Sequence, residues 1–272
     1  MVCQCCQIHW LGQLDFQLAY ALQKKLAAKR ANKEIDNVLL LLEHPHVFTF
    51  GFNGYREYLR ISEEEITRRK ISCYQVDRSG PVAFYHGPGQ LVGYPVLNLQ
   101  EYGYNYHDYI KLLEKVIIYT LASFGVHAYK EPGCSGISVV GSSLTSGDAD
   151  WLYSDSNSAL IAAIGINVGK NNVTRHGFFI NVNPCLEYFK LIMPNGLKSC
   201  NFTSLQEVLG KPVTVKEVTD AVAKSFARVF KLAFNVGQPL TIDKKQTYGL
   251  HGTMGGCVND NWAIGTVCQA AR

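Results

Sequence analysis

The sequence predicts a mixed α/β (α+β) fold in which helices cover a mixed β-sheet. Amphipathic helical patterns recur along the chain and short β-rich segments lie between them. The two alternate too irregularly for the even βαβ spacing of a doubly wound sheet. At 272 residues, with 47% hydrophobic and 18% charged content, the chain can bury one sizeable core. We expect one main domain over residues 1–236, an inserted surface loop at 141–158 rich in Ser, Asp and Gly, and a Gly-rich tail at 237–272.

From Leu14 to Lys29, the residues Leu14, Leu18, Ala21, Leu22 and Leu26 share one helical stripe, with Gln23, Lys24, Lys25 and Lys29 off it. This predicts an amphipathic helix packed on a sheet. The continuous apolar run Val38–Leu42 suits a strand buried on both faces, and Pro45 ends it because proline donates no ladder hydrogen bond. A further extended segment, Val47–Phe50, stops at Gly51. Ser62 and Glu65 are spaced to cap each other at the start of a short helix over 61–70.

The longest helical pattern runs from Tyr106 to Phe124, with Ile110, Leu113, Ile117, Leu121 and Phe124 on one face and Gly125 as its stop. Thr214 and Glu217 cap a last helix bearing Val218, Val222, Phe226 and Val229. Strands are predicted at 92–99, 137–140, 161–168 and 178–182, the last two joined by a turn at 170–172. Gly165 and Gly177 fall inside these strand patterns. A glycine there marks close approach of a ligand or a backbone, or else a bulge.

Lys+Arg 26 against Asp+Glu 22 leaves a charge of +4, too even to point to nucleic acid, although it favours acidic protein partners. No apolar run approaches the roughly 20 residues of a bilayer span, and residues 1–6 resemble neither a secretory signal nor a transit peptide. A soluble cytoplasmic protein is expected, or an organellar one if a presequence has been removed. Nine scattered cysteines do not form a disulfide framework. Cys3 and Cys6 make a C-x-x-C pair without a second pair at zinc spacing, and are expected to be ordinary thiols at a frayed terminus. The tail's Gly249–Gly256 run lacks the G-K-[ST] of a phosphate loop.

The densest cluster of chemistry-bearing residues is Asp77–Gln90, where glycines and prolines surround Arg78, Tyr85 and His86. Such a turn lets the backbone approach a ligand while polar side chains converge on it. A second cluster joins Ala163–Gly165 to Arg175–Asn181. The segments Leu42–Pro45, Tyr85–Pro95, Ala162–Gly165, His176–Gly177 with Asn181–Asn183, Tyr188–Phe189 and Thr203–Leu205 follow in the order and approximate spacing of the lipoyl(octanoyl) transferases. Over about Ile8 to Phe234 the chain resembles that family, which belongs with the biotin and lipoate protein ligases.

The resemblance implies a biotin/lipoate protein ligase-like catalytic domain without a cofactor or metal. It implies transfer of an octanoyl or lipoyl group from acyl carrier protein to a lysine of lipoyl domains, those of the 2-oxoacid dehydrogenases and the glycine cleavage H protein. Carried over by position, the substrate-binding residues are Arg78, Ser79, Gly80, Tyr85 and His86, then Ala163, Ile164 and Gly165, then Gly177, Phe178 and Phe179. A leucine at Gly177 is then expected to fill the acyl slot without unfolding the protein.

Two departures concern the chemistry. The family uses a cysteine nucleophile activated by a nearby lysine, and those positions are held by Asn195 and Leu160. In Arg78–His86 there is one extra residue, and Ser79 replaces a usual glycine. Cys200 and Cys185 are the nearest substitute thiols. Two readings stay open: a transferase working through a relocated thiol or by direct transfer, and an inactive homologue that binds an acyl chain or its carrier. An adenylating ligase is disfavoured, because no Gly-Arg-rich nucleotide loop is present.

Overall fold

The computed structural model describes residues 5–51, 58–79, 83–130, 136–140, 158–193, 201–236 and 240. In chain order the elements are β1 (Cys5–Gln13), α1 (Phe16–Ala31), β2 (Asn37–Glu43), β3 (Val47–Phe50), α2 (Glu63–Arg68), β4 (Ser72–Gln75), β5 (Ala83–His86), β6 (Gln90–Val96) and α3 (Tyr106–Ala122). There follow β7 (Ala128–Lys130), β8 (Gly136–Val140), β9 (Ser158–Val168), β10 (Thr174–Asn181), β11 (Asn201–Phe202), α4 (Leu205–Leu209), α5 (Val215–Phe230) and β12 (Ala233–Val236). Ser158 opens β9, and the rest of the expected 141–158 loop lies outside the described residues, as does the tail apart from Leu240.

The described strands form two sheets. A nine-stranded sheet runs β12-β1-β2-β6-β10-β9-β8-β7, with β11 pairing β9, and a three-stranded sheet runs β4-β3-β5. The large sheet is mixed: β1 is parallel to β12 and β2, whereas β2, β6, β10, β9, β8 and β7 pair antiparallel in turn. It is buried on both sides. In β2, Leu39 and Leu41 face a core shared with α3 and α5, while Val38, Leu40 and Leu42 face a core shared with α1 and the small sheet. The mixed α/β architecture is therefore as the sequence predicts. No helix among the described residues is long and apolar enough to cross a membrane.

Several local expectations change. Of the Cys3 and Cys6 pair, Cys3 lies outside the described residues, but Cys6 is not frayed: it lies in β1, which the sequence reading missed, and is fully buried, its thiol pushed up to about 12 by desolvation. On α1, Gln23 is buried and Ala21 exposed, because Gln23 has a polar partner inside the fold: its Oε1 accepts the backbone N–H of His176 at 2.8 Å. Ser62 caps α2 through the Glu65 N–H, but the Glu65 carboxylate turns forward to Arg68 and Arg69, so the reciprocal bond is not made by Glu65. Thr214 and Glu217 do form the full capping box of α5.

Gly165 and Gly177 face each other across the β9–β10 ladder in unbroken register. They mark close approaches, not bulges. A Cβ on Gly177 would lie 2.1 Å from the Gly93 carbonyl oxygen and 2.7 Å from Pro95 Cδ, both on β6. That neighbour is backbone inside a sheet and cannot swing away, so a leucine at 177 would break the β6–β10 pairing instead of filling a slot.

Even Gly177→Ala is expected to lower the unfolding free energy by about 3 kcal/mol through overpacking. Gly169→Ala, whose added Cβ would meet nothing nearer than 3.5 Å, should stay within about 0.5 kcal/mol of the parent. Urea denaturation of the two variants checks this, and equal midpoints would disprove the close approach.

Candidate active site

A narrow cavity, partly open to solvent, lies between the two sheets. Its floor comes from β6, β9 and β10 of the large sheet and its roof from the small sheet and the segment 76–78, with Phe16 of α1 at one side. Strand alternation decides which side chains enter. In β5, Phe84 and His86 face the cavity, Phe84 opposite Thr49 in the register. Tyr85 points the other way. Its ring stacks on Tyr188 at 5.1 Å and its hydroxyl meets His46 Nδ1 at 2.9 Å.

The residues implied by resemblance thus separate. Arg78, His86, Gly165, Gly177, Phe178 and Phe179 line the cavity together. Ser79 instead pins its segment to β9, its N–H and Oγ both reaching the Ile166 carbonyl at 2.9 and 2.8 Å. Ala163 packs into the core on the cavity's side of the large sheet and Ile164 into the core on the opposite side. Cys185 is exposed and does not line the cavity. Gly80, Asn195 and Cys200 lie outside the described residues.

Leu160 owes its direction to a bulge. The β8–β9 register slips between Ile137 and Ser138, whose partners are Ala162 and Leu160, so Ile161 is an extra residue in β9. Leu160 consequently shares a face with Ala163 and is buried in the core on the cavity side, while Ile161 and Ala162 turn to the helices α3 and α5. Its surroundings are apolar.

Polar groups reach the cavity already committed to partners. The guanidinium of Arg78 is buried, donates to the Thr49 carbonyl at 2.9 Å and lies 3.9 Å from the centre of the Phe84 ring. Desolvation brings its pKa down to about 9, so it stays charged at neutral pH. A chain of hydrogen bonds sets the tautomer of His86. The Thr203 carbonyl can only accept, so Asn181 gives it the Nδ2–H; Asn181 Oδ1 then accepts from Gln90 Nε2, and Gln90 Oε1 accepts from His86 Nδ1 at 2.7 Å. Nε2 of His86 is left as an acceptor, and burial holds the ring well below the usual imidazole pKa.

On the opposite wall His176 sits against Asp77, with Nε2 at 3.0 Å from Oδ1. The same carboxylate accepts from Tyr20 Oη at 2.7 Å and Arg175 Nη2 at 2.6 Å. Asp77 is held well below the usual carboxylate range by the bond from His176 first, then those from Tyr20 and Arg175, against the opposing cost of burial. Burial lowers His176 despite Asp77. The residues carried over by resemblance omit His176, Tyr94, Phe84, Thr49 and Phe16, which also line the cavity; His176 and Phe84 fall inside the two clusters the sequence singles out. His176 and Asp77 are separated by 99 residues, and only the pairing of strands from both halves of the chain brings them together.

The fold is that of lipoate-protein ligases. It superposes on a lipoate-protein ligase A bound with ATP with a TM-score of 0.62 at 12% identity, covering 89% of this chain and 91% of that one. A bipartite lipoate protein ligase from Thermoplasma acidophilum gives 0.61 at 11%, covering 89% and 90%. Residues 15–227 match the lipoyl protein ligase A/B catalytic domain, and the chain belongs to that family. Within it, the chain is similar to the octanoyltransferase of Caldicellulosiruptor bescii, 36% identical over 85% of this chain and 94% of that protein. The octanoyltransferase of Geobacter metallireducens is 40% identical over 79% and 89%.

The buried imidazoles make stability depend on acidity. His44, with Nδ1 on the Leu14 carbonyl and Nε2 on the Tyr94 hydroxyl, is pulled by desolvation from 6.5 to about 4. Between those two values the unfolded chain binds the extra proton and the folded one does not, so stability falls as the pH drops through that window. His44 alone should account for a loss of about 3 kcal/mol between pH 7 and pH 4. Asp77, shifted down from 3.8, contributes stability above that value and loses it only below. Denaturation across this range should show a shallower loss for His44→Gln, and an unchanged slope would place the titration elsewhere.

Proposed function

We propose that this protein transfers an octanoyl group from an acyl carrier protein thioester to a lysine of lipoyl domains, those of the 2-oxoacid dehydrogenases and the glycine cleavage H protein. One observation supports the reading above the rest: a largely apolar slot between the two sheets, walled by Phe84, Val92 and Phe179 and ended by the fixed polar groups of Arg78, His86 and His176. An acyl chain gains roughly 0.8 kcal/mol per buried CH₂ in such a slot, before the cost of association. The carbonyl end meets donors and acceptors held in place before the substrate arrives. The octanoyltransferases at 36% and 40% identity support the same substrate class.

Incubation with octanoyl-acyl carrier protein and an unmodified lipoyl domain is expected to add one octanoyl group to one lysine, read by mass spectrometry of the domain. An unlabelled domain, with octanoic acid still bound by calorimetry, would favour the reading of an acyl-binding homologue.

The positions corresponding to nucleophile and lysine are proposed to be Asn195 and Leu160. An amide cannot form a thioester, so no hydroxylamine-sensitive acyl adduct should accumulate on the chain during turnover. Joint replacement, Asn195→Cys with Leu160→Lys, should create one and raise the rate more than the sum of the single changes, because a thiol without a cationic neighbour stays mostly protonated near neutral pH. Leu160→Lys alone places an ammonium in an apolar cluster and should lower stability. Additive gains from the single variants would argue against the pairing.

A further inference from the structure

His176 has three features that a mere wall of the cavity does not need. Its backbone lies at φ +57°, in the left-handed region, in the middle of β10. A non-glycine residue there is strained and persists only where its surroundings impose it. Those surroundings are present: Gln23 accepts its N–H, and Tyr20 stacks on the ring at 5.4 Å between centres. The second feature is the partnership with Asp77. An ionised carboxylate only accepts, so the ring proton sits on Nε2 and Nδ1 keeps its lone pair. The third is position. His176 lines the cavity, and among the described residues nothing hydrogen-bonds its Nδ1.

We propose that His176 is the proton-transfer residue of the reaction and Asp77 its positioning residue, an inference that rests on the octanoyl-transfer reading. The acceptor lysine's amine adds to the thioester carbonyl carbon and the C–N bond forms. His176 Nδ1 takes the proton that the nitrogen sheds. As the C–S bond breaks with its electron pair on sulfur, Nδ1 passes that proton to the thiolate, leaving an amide and a free thiol. Asp77 keeps Nε2 protonated throughout and stabilises the transient imidazolium, while Tyr20 and Arg175 hold the carboxylate.

Octanoyl transfer to a lipoyl domain is to be measured for the wild type, His176→Asn and Asp77→Asn. Asparagine tolerates the left-handed backbone better than most residues and cannot accept the proton, so the fold should survive, as thermal unfolding will report. His176→Asn is expected to lose about 100-fold or more in kcat, with KM changed less than about threefold. Asp77→Asn offers an N–H to Nε2 and should move the ring proton to Nδ1, seen in nitrogen-resolved NMR of the imidazole, with a fall in kcat. If His176→Asn does not fold, the tautomer and kcat of Asp77→Asn decide alone. A folded His176→Asn that keeps the wild-type rate, losses confined to KM, or a wild-type ring protonated on Nδ1 would each overturn the inference while leaving octanoyl transfer standing. A wild-type protein that transfers no octanoyl group overturns the transfer reading itself.

Discussion

Three parts of the chain converge on the Asp77 carboxylate. Tyr20 comes from α1, Arg175 and His176 from β10, and Asp77 itself from the segment after β4. Charge-assisted hydrogen bonds are worth about 1.5–3 kcal/mol each, and leaving a half-buried carboxylate without them would cost more than any one contributes. The next residues use the anchorage this provides. Arg78 turns its guanidinium over Phe84, and Ser79 ties the backbone to Ile166. Asn167 adds a bond to the Asp77 carbonyl. The roof of the cavity is thereby fastened to the β9–β10 hairpin at its floor.

The close packing of that hairpin sets the cavity's shape. Gly165 leaves room for Phe84, Ser79 and Arg78 above it, since a Cβ there would sit 2.8–3.1 Å from their atoms. Gly177 lets β10 lie against β6. A slot made this way is narrow and apolar, and a desolvated polar group inside it is costly unless it is hydrogen-bonded. Polar residues on its walls accordingly lean on hydrogen-bond partners: His86 on Gln90, Tyr94 on His44, His176 on Asp77, and Arg78 on Thr49, itself a wall residue. The imidazoles stay neutral for the same reason, and neutral rings can take a proton.

The position that carries a lysine in the resemblance holds a buried leucine, aimed to the cavity side by the Ile161 bulge. Relatives with the same domain cover nearly their whole length with this chain. The bulge turns position 160 to the cavity side of the sheet, and the side chain it places there has no charge.

What the sequence determined by itself is what depends on neighbours a few residues away. The run Val38–Leu42 reads as a strand buried on both faces because every side chain in it is apolar. Thr214 and Glu217 cap α5 because their partners are three residues apart. The motifs from Leu42 to Leu205 place the family without coordinates. The tertiary structure decided what depends on distance. β1 and β12 carry weak local patterns and gain their strand character by pairing across more than 200 residues. Tyr85 and His86 adjoin in sequence yet serve opposite faces, and the register with β3 chooses between them. Gln23 looks like a surface residue until a strained backbone N–H 153 positions later needs its oxygen. The pairing of Asp77 with His176 belongs to the same class: two ordinary polar residues, a buried imidazole and a half-buried carboxylate, coupled by the way the two sheets close on each other.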